Sequence, residues 1–458
     1  MNLEQKIERA GSAVNLLRNS GAGAFVYPVV APEYTNWRDE QRAWRENVVL
    51  FDQSHHMQEL MIDGPDAEKL LSYVAINTFA NSAPGKAKQI VGVSPSGHII
   101  GDNILFRESE TEFNMVGKVQ LMNWIKYQAS IGDYDVELKE DARSPSRPEG
   151  KPVTRRHFRF QVQGPNAPEV LSRLAGGAVP DIKFFNMDWI EIQGTKYRAL
   201  RHGMAGVPGL EIYGPYDDYD RVRDAILEAG AGFDIVRVGA RAYATNTLES
   251  GWIPSPVPAI YSGEETRGYR EWLPGASLEG VHALGGSYVS DKIEDYYSTP
   301  WSLGYGFVAK FDHDFIGREA LEKLAPTAEQ EQRRKVTFEW NPEDVVAAYA
   351  TMFEEGEHVK YMDWPLSNSA SLNFDKVLKD GRLAGVSMFS GYSYNERRML
   401  SLGSVDPDVK EGDVLTLIWG EGGPGNPRQA EIQVRVSPTP FATVARESYA
   451  DGWRSKSS

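Results

Sequence analysis

The chain has no cysteine at all. That absence excludes disulfides, thiolate metal sites, a cysteine nucleophile and cysteine-ligated iron–sulfur clusters. Long apolar runs are missing too: nowhere do the roughly 20 consecutive apolar residues of a membrane-spanning helix occur. The opening "MNLEQKIERAGSAVNLLRNSGAG" carries charges throughout, where a secretory signal has an apolar core, and it reads as an amphipathic helix. A soluble, cytoplasmic protein with no membrane partner is therefore expected. Positive charge is in deficit, with 49 Lys+Arg against 64 Asp+Glu and a net charge of −15. Nucleic acid is disfavoured as a main partner, because phosphate binding needs a basic surface. A local cluster of Lys or Arg can still hold a small carboxylate.

Familiar chemical motifs are scarce as well. "GEGGPGN" (420–426) is glycine-rich, but it lies between two strand patterns. It has neither a following helix N-terminus nor a GK[ST] to hold phosphate, so it reads as a hairpin loop. His55 and His56 adjoin in "QSHHMQ". Neighbouring side chains of a strand point apart and no second His pair at ligand spacing exists, so no metal site is expected. Either histidine serves equally well as a hydrogen-bonding pocket group or as a satisfied structural residue. Lys118 ends the apolar strand of "MVGKVQ", where it places a positive charge at the mouth of a site or is simply solvated.

What the chain does have is an ordinary soluble composition rich in rings. Its 458 residues suffice for two to four domains, with 41% apolar and 25% charged residues. The 11 Trp and 21 Tyr supply core or the walls of a pocket for a flat ligand. A helix is expected at roughly 36–46, followed by a short buried strand. "KQIVGVSPSGHIIGDNILFRESETEFNMVG" predicts an antiparallel meander, and a helix follows at about 119–130. "HFRFQVQGPNAPEVLSRL" predicts a strand, a Gly-Pro turn and a helix capped by Asn166. Three more strands follow in "MDWIEIQGTKYRALRHGMAGVPGLEIYGP", and a helix at 317–324 leads into the charged linker "LAPTAEQEQRRKV". Beyond it, "RKVTFEW", "GRLAGVSMFSG", "DVLTLIWGE" and "RQAEIQVRVSP" predict a C-terminal β barrel or sandwich. Strands thus come in antiparallel groups with helices between them, an α+β pattern. No internal repeat stands out.

The stretch "RVGARAYATNTLESGWIPSP" (237–256) is the most informative. A helix stopped by Gly251 sets Tyr243, Asn246 and Thr247 on one face and Ala240, Ala244 and Leu248 on the other, the natural core side. On such a polar face Tyr243 has an available hydroxyl; as a core tyrosine it has a satisfied one.

"GARAYATNTLESG", "FRFQVQGPNAPEVL", "PGLEIYGP", "STPWSLGYGFVAKFDHDFIGREAL" and "GRLAGVSMFSGYSYNERRMLSLGSVDPDVKEGDVLTL" follow one another in order along most of the chain. In this series the chain resembles the glycine-cleavage T-protein (aminomethyltransferase) family. "GDNILF", with Asp102 alone, departs from the paired acids of the amine-processing members. With "FVYPVV", "FDQSHHMQ" and the tyrosine after "GARA", it resembles the tetrahydrofolate-dependent aryl O-demethylases of vanillate, 3-O-methylgallate and syringate. The resemblance implies a folate-binding α+β fold of antiparallel sheets with helices plus a C-terminal β-barrel. Its domains are expected at 1–324, with a subdomain break near 141–156, and at 336–445. It implies tetrahydrofolate as methyl acceptor and a methoxybenzoate donor: vanillate, syringate, 3-O-methylgallate or a halogenated one such as dicamba. Tyr243 is implied as the catalytic residue, Tyr27, Gln53, His56, Val116 and Lys118 as substrate-binding, and Glu211, Trp252, Gln161 and Phe185 as folate-binding. Lys118 stands where an arginine is expected and offers a point charge without a bidentate fork. Glu249 is given a structural or folate-side role. Tyrosine's free pKa, near 10, matches that of a departing phenol. Two alternatives remain: an aminomethyltransferase or demethylase of a small amine or sulfonium compound, and a non-catalytic folate-binding module.

Overall fold

A computed structural model of the chain describes residues 1–146, 153–254, 256–423, 426 and 428–447. Two antiparallel sheets face one another, and a closed barrel follows them. The first sheet runs Ala87–Val93, Ile99–Arg107, Glu112–Gly117, Gln58–Asp63, Glu137–Asp141. The second runs Val236–Arg237, Val49–Asp52, His157–Gln163, Gly209–Pro215, Thr195–Leu200, Met187–Ile192; its first pair is parallel and the others antiparallel. The expected meander is the first three strands of the first sheet, and the α+β pattern holds. Residues 147–152 of the expected subdomain break lie outside the described residues.

Each sheet covers its outer face with helices and keeps its inner face for the other sheet. In "HFRFQVQ", Phe158, Phe160 and Val162 point into a core with the helices Ala167–Leu174 and Tyr219–Gly230. Side chains alternate along a strand, so Arg159, Gln161 and Gln163 point the other way, yet they are only 1%, 0% and 0% exposed. Between the sheets lies a buried polar layer where an isolated sheet would meet water.

The same local unit appears in both sheets, contrary to the expectation of no repeat. "IDGPDAEKLL" and "VQGPNAPEVL" each make a strand, a Gly-Pro turn and a helix, Ala67–Val74 and Ala167–Leu174. Gly64 and Gly164 have φ of +146° and +136°, and a Cβ would lie 2.2 Å from the Asp135 carbonyl oxygen and 2.4 Å from that of Asn47. Only glycine fits such an approach. Asn166 stands at the N-cap, but its side chain makes no capping hydrogen bond.

The 36–46 and 119–130 helices are Trp37–Glu46, capped by the Asn36 side chain, and Val119–Ile131. The N-terminal pattern is two helices, Leu3–Ala10 and Ala13–Arg18, because Gly11 at φ +81° ends the first and Ser12 caps the second. The expected charged linker after Arg318–Leu324 is itself largely helical, with Ala325–Thr327 and Ala328–Glu331. The C-terminal strands close into a six-stranded barrel rather than a sandwich: Arg334–Trp340, Arg398–Val405, Arg382–Ser393, Asp375–Lys379, Val414–Trp419 and Ala430–Ser437. Asp375–Lys379 and Arg398–Val405 are strands the sequence reading passed over. "GEGGPGN" joins two antiparallel neighbours, Val414–Trp419 and Ala430–Ser437, as a hairpin loop should; residues 424 and 425 lie outside the described residues.

Candidate active site

The polar layer between the sheets is anchored by Arg159. Its guanidinium bonds Glu59 of the first sheet (2.9 Å from Nε) and Glu211 of its own (2.7 Å from Nη1), and it lies over the rings of Phe106 and Tyr213. His157 and Asn114 add bonds to Glu59, and His202 Nε2 meets the second Glu211 oxygen at 2.7 Å. Burial opposes both carboxylates, but their cationic and hydrogen-bonding neighbours prevail and hold both below the ordinary glutamate range. Glu211 and Gln161 are direct cross-strand partners. Gln161 donates to the His202 carbonyl oxygen at 2.9 Å, while its own side-chain oxygen is buried without a partner. Half-buried Phe185 sits at φ +55°, its ring 6.1 Å from that of His202. Gln161, Glu211 and Phe185 thus gather around His202.

Phe51 is the other cross-strand partner of Gln161, and it leads into a cluster of packed aromatic rings. The Tyr243 ring lies 5.2 Å from Phe51, 4.5 Å from Tyr27 and 4.7 Å from His56. Tyr27 and His56 are 4.8 Å apart. Tyr243 is 2% exposed. The helix expected through it is broken into Ala240–Tyr243 and Asn246–Ser250, with Gly251 in the left-handed region as the stop. Thr245 and Asn246 turn their side chains back onto the carbonyls of Ala242 and Tyr243, which ends the first piece. Tyr243 is therefore on no solvent-facing polar face. Its hydroxyl has the Met204 sulfur at 3.9 Å and a hydrogen bond with the Gln53 side chain. Burial, then Tyr27 and Asp52, push its phenol well above the ordinary tyrosine value. The simple pKa match to a departing phenol is lost.

The two histidines differ. They sit in a turn between strands, held by Arg155, which donates to the Ser54 and Met57 carbonyl oxygens. His55 bonds Ser144 at 3.0 Å and Tyr216 at 3.2 Å. His56 is 4% exposed, and neither ring nitrogen has a partner. Burial first, then the charge of Arg143, depress it to about 3, so it is a neutral imidazole.

A third group lies on the first-sheet side. Asp102 accepts from Gln89 (2.7 Å), Trp252 Nε1 (3.1 Å) and Tyr305 (3.1 Å), yet burial raises its pKa. Lys118 stands at the N-cap position of the helix Val119–Ile131 without a side-chain capping bond and donates to the Pro254 carbonyl oxygen at 2.6 Å; burial lowers it to about 8. Lys335 donates to the Gly251 carbonyl oxygen at 2.8 Å. Trp252 packs with the first-sheet core and Tyr243 with Trp37, Trp44 and Phe51, so these neighbours in sequence serve different walls. Val116 packs with Phe106, Met187, Leu200 and Tyr213 between the sheets, apart from the Tyr27–His56–Tyr243 group. Glu249 takes bonds from Trp44, Arg45, Ser393 and Asn395, tying this stretch to the barrel.

Arg143, Arg155, Arg159, Met204 and Tyr305 escaped the sequence reading. Arg159 and Gln161 carried a usable signal, polar residues alternating with apolar ones just before a Gly-Pro turn. Among the described residues no group of three acids or histidines is placed to hold a metal ion.

Residues 22–255 match the GCVT N-terminal domain family. The chain is 47% identical over 463 residues to the syringate O-demethylase of Sphingobium sp. (strain NBRC 103272 / SYK-6), covering 99% of both proteins. It is 29% identical to the sesamin methylene transferase of Sinomonas sp. (strain No.22), covering 96% of each. The aminomethyltransferase of Listeria monocytogenes serotype 4a (strain HCC23) matches at 29% over 66% of this chain and 69% of its own. The fold is that of the glycine cleavage system aminomethyltransferase T of Bartonella henselae, with a TM-score of 0.59, 18% identity and 96% of each chain covered. By domain match and by likeness along its whole length, the chain belongs to the GCVT family.

Proposed function

We propose that this protein is a tetrahydrofolate-dependent aryl O-demethylase acting on a methoxybenzoate of the syringate kind. The observation that carries the reading is a buried tyrosine within an aromatic cluster of a chain 47% identical to a syringate O-demethylase. Asn103 stands beside Asp102, where the resemblance to amine-processing members implies a second acid.

The Tyr27, His56 and Tyr243 rings touch one another, and the aryl chamber proposed here opens as they part around a single flat ring. His56, held neutral, offers a ring nitrogen to a hydroxyl beside the methoxy group. Tetrahydrofolate, as methyl acceptor, supplies the N5 lone pair. Gln161 with its unpartnered oxygen, Glu211 and Phe185 fit an edge of N–H donors and a flat ring, and they sit one strand away from Phe51 and Tyr243. Holding donor and acceptor in line converts an encounter into an oriented step, worth on the order of 7–11 kcal/mol when complete.

Tyr243 meets the charge that develops on the aryl oxygen. Because burial raises its pKa, it stays protonated at neutral pH and donates a hydrogen bond into a site from which water is excluded. A phenolate buried beside it is raised by the same cause, which restores the match that free values suggest. Proton donation of this kind contributes roughly 10²–10⁴-fold. Trp252 and Asp102 are assigned to the acceptor side, Lys118 to the substrate side, and Val116 to the wall between the sheets.

The experiment is a screen of vanillate, syringate, 3-O-methylgallate and dicamba with tetrahydrofolate, reading methylated folate and phenol together. Equal amounts of the two products from syringate are expected. Turnover only with a methylated amine or sulfonium donor, or with none, would contradict the proposal.

A further inference from the structure

The chamber has a cation at its edge that no motif marks. Arg143 follows the strand Glu137–Asp141, and its Nη2 donates to the Val26 carbonyl oxygen at 2.7 Å. Its guanidinium lies 4.6 Å from the centre of the Phe25 ring, whose other neighbours are Tyr27 at 5.2 Å and His56 at 6.4 Å. Arg143 Nε is buried without a hydrogen-bond partner, and among the described residues no carboxylate pairs with this side chain. Its charge acts on Tyr27, His56 and Lys118 alike, so the half-buried guanidinium lies close to all three. Lys118 reaches the same Phe25 ring from 5.7 Å, but its ammonium donates to the Pro254 carbonyl oxygen and stands near Asp102.

A half-buried guanidinium that no carboxylate pairs among the described residues, beside three rings, is half of a binding site. Resting on the reading of the chamber as the aryl pocket, we propose that Arg143 is the residue that recognises the carboxylate of an arene carboxylate substrate, with Lys118 a secondary charge. The planar fork of arginine suits a carboxylate coplanar with a benzene ring, and its Nε and Nη groups offer the two parallel donors that a lysine lacks. The ligand ring then lies against Tyr27 and His56, and Phe25 closes over the cation. The bond to Val26 makes the same guanidinium a fastening for residues 25–27, so charge reading and chamber closure meet in one side chain.

The test is calorimetric binding of syringate and of the matching alcohol to the whole protein carrying R143Q, R143K or K118Q, with turnover measured in parallel. R143Q is expected to weaken the acid by roughly 10–100-fold and the alcohol by less than about threefold, with folate affinity unchanged. R143K, which keeps a charge but not the fork, should fall between. Equal losses for acid and alcohol would assign Arg143 to holding the chain at Val26 alone and overturn the proposal. So would an acid preference that survives R143Q and vanishes in K118Q. Arg143-dependent binding of the acid without methyl transfer supports this inference and contradicts the proposed activity. Wild-type protein that binds none of the acids contradicts both.

Discussion

The strand His157–Gln163 borders two buried polar regions that are finished in opposite ways. Around Arg159, both oxygens of Glu59 and of Glu211 and all three guanidinium nitrogens are paired, with only the Asn114 side-chain oxygen left over. Two residues along, and across Phe51, the Gln161 oxygen, both His56 nitrogens and Arg143 Nε have no partner. Buried polar atoms are normally satisfied, and an unsatisfied one costs about 1–3 kcal/mol. The paired region therefore joins the sheets, and the unpaired one awaits partners that the chain does not supply. These four atoms sit on three side chains, Gln161, His56 and Arg143, and are the kind of groups that polar, aromatic ligands would pair.

The largest effect is expected from breaking the paired region. Arg159→Met leaves two buried carboxylates facing each other and should lower unfolding free energy by about 3–5 kcal/mol at pH 7. Denaturant titration measures it; a loss under about 1 kcal/mol would show that the network is not what joins the sheets.

Tyr243→Phe acts on the other region. The ring and its packing stay, so stability should hold while kcat falls at least about a hundredfold with little change in folate affinity. The loss should shrink for methoxyarenes bearing electron-withdrawing substituents, whose phenolates need less help to leave. Glu211→Gln is its complement: weaker folate binding by about tenfold, with the aryl requirement nearly unchanged. A kcat near the wild-type value in Tyr243→Phe would pass the donor's role to another group.

A smaller effect comes from pH. His56 is depressed to about 3 in the fold against about 6.5 unfolded. The stability tied to its neutral form is complete above pH 6.5 and drains away as pH falls toward 3, on the order of 2–3 kcal/mol by pH 4. The two glutamates add to the loss only below about pH 4.5, because their folded values are depressed as well. His56→Phe should therefore lessen the slope of the stability profile between pH 6.5 and 4.5, while His282, likewise depressed to about 3, keeps its own share. An unchanged slope there would place the His56 ring in contact with water.

Much of this was legible in the sequence. The meander, the helices Trp37–Glu46 and Val119–Ile131, the Gly251 stop and four barrel strands follow from turn residues and apolar periodicity. Tyr243, Tyr27 and His56 came from resemblance, and the fold brings their rings together. The errors share a cause, which is tertiary burial. Helical periodicity left Tyr243 between a polar face and the core, because the pattern does not show that Phe51 of the Val49–Asp52 strand packs against it. In "HFRFQVQ" the alternation marks a strand, but nothing local reveals the second sheet that buries its polar side. Arg143 sits in "KEDARSPSRPEGKPVTRR", where charge and proline signal only a loop, and its meaning arises from Phe25, more than a hundred residues earlier.

The central claim is that methyl carbon passes from an aryl ether to folate in this chamber. Syringate carrying a ¹³C-labelled methoxy group, incubated with the protein and tetrahydrofolate and followed by mass spectrometry, tests it most directly. The account predicts labelled 5-methyltetrahydrofolate in equal amount to the demethylated phenol, and neither product without folate. Label released as methanol or formaldehyde, or phenol formed in the absence of folate, would contradict it.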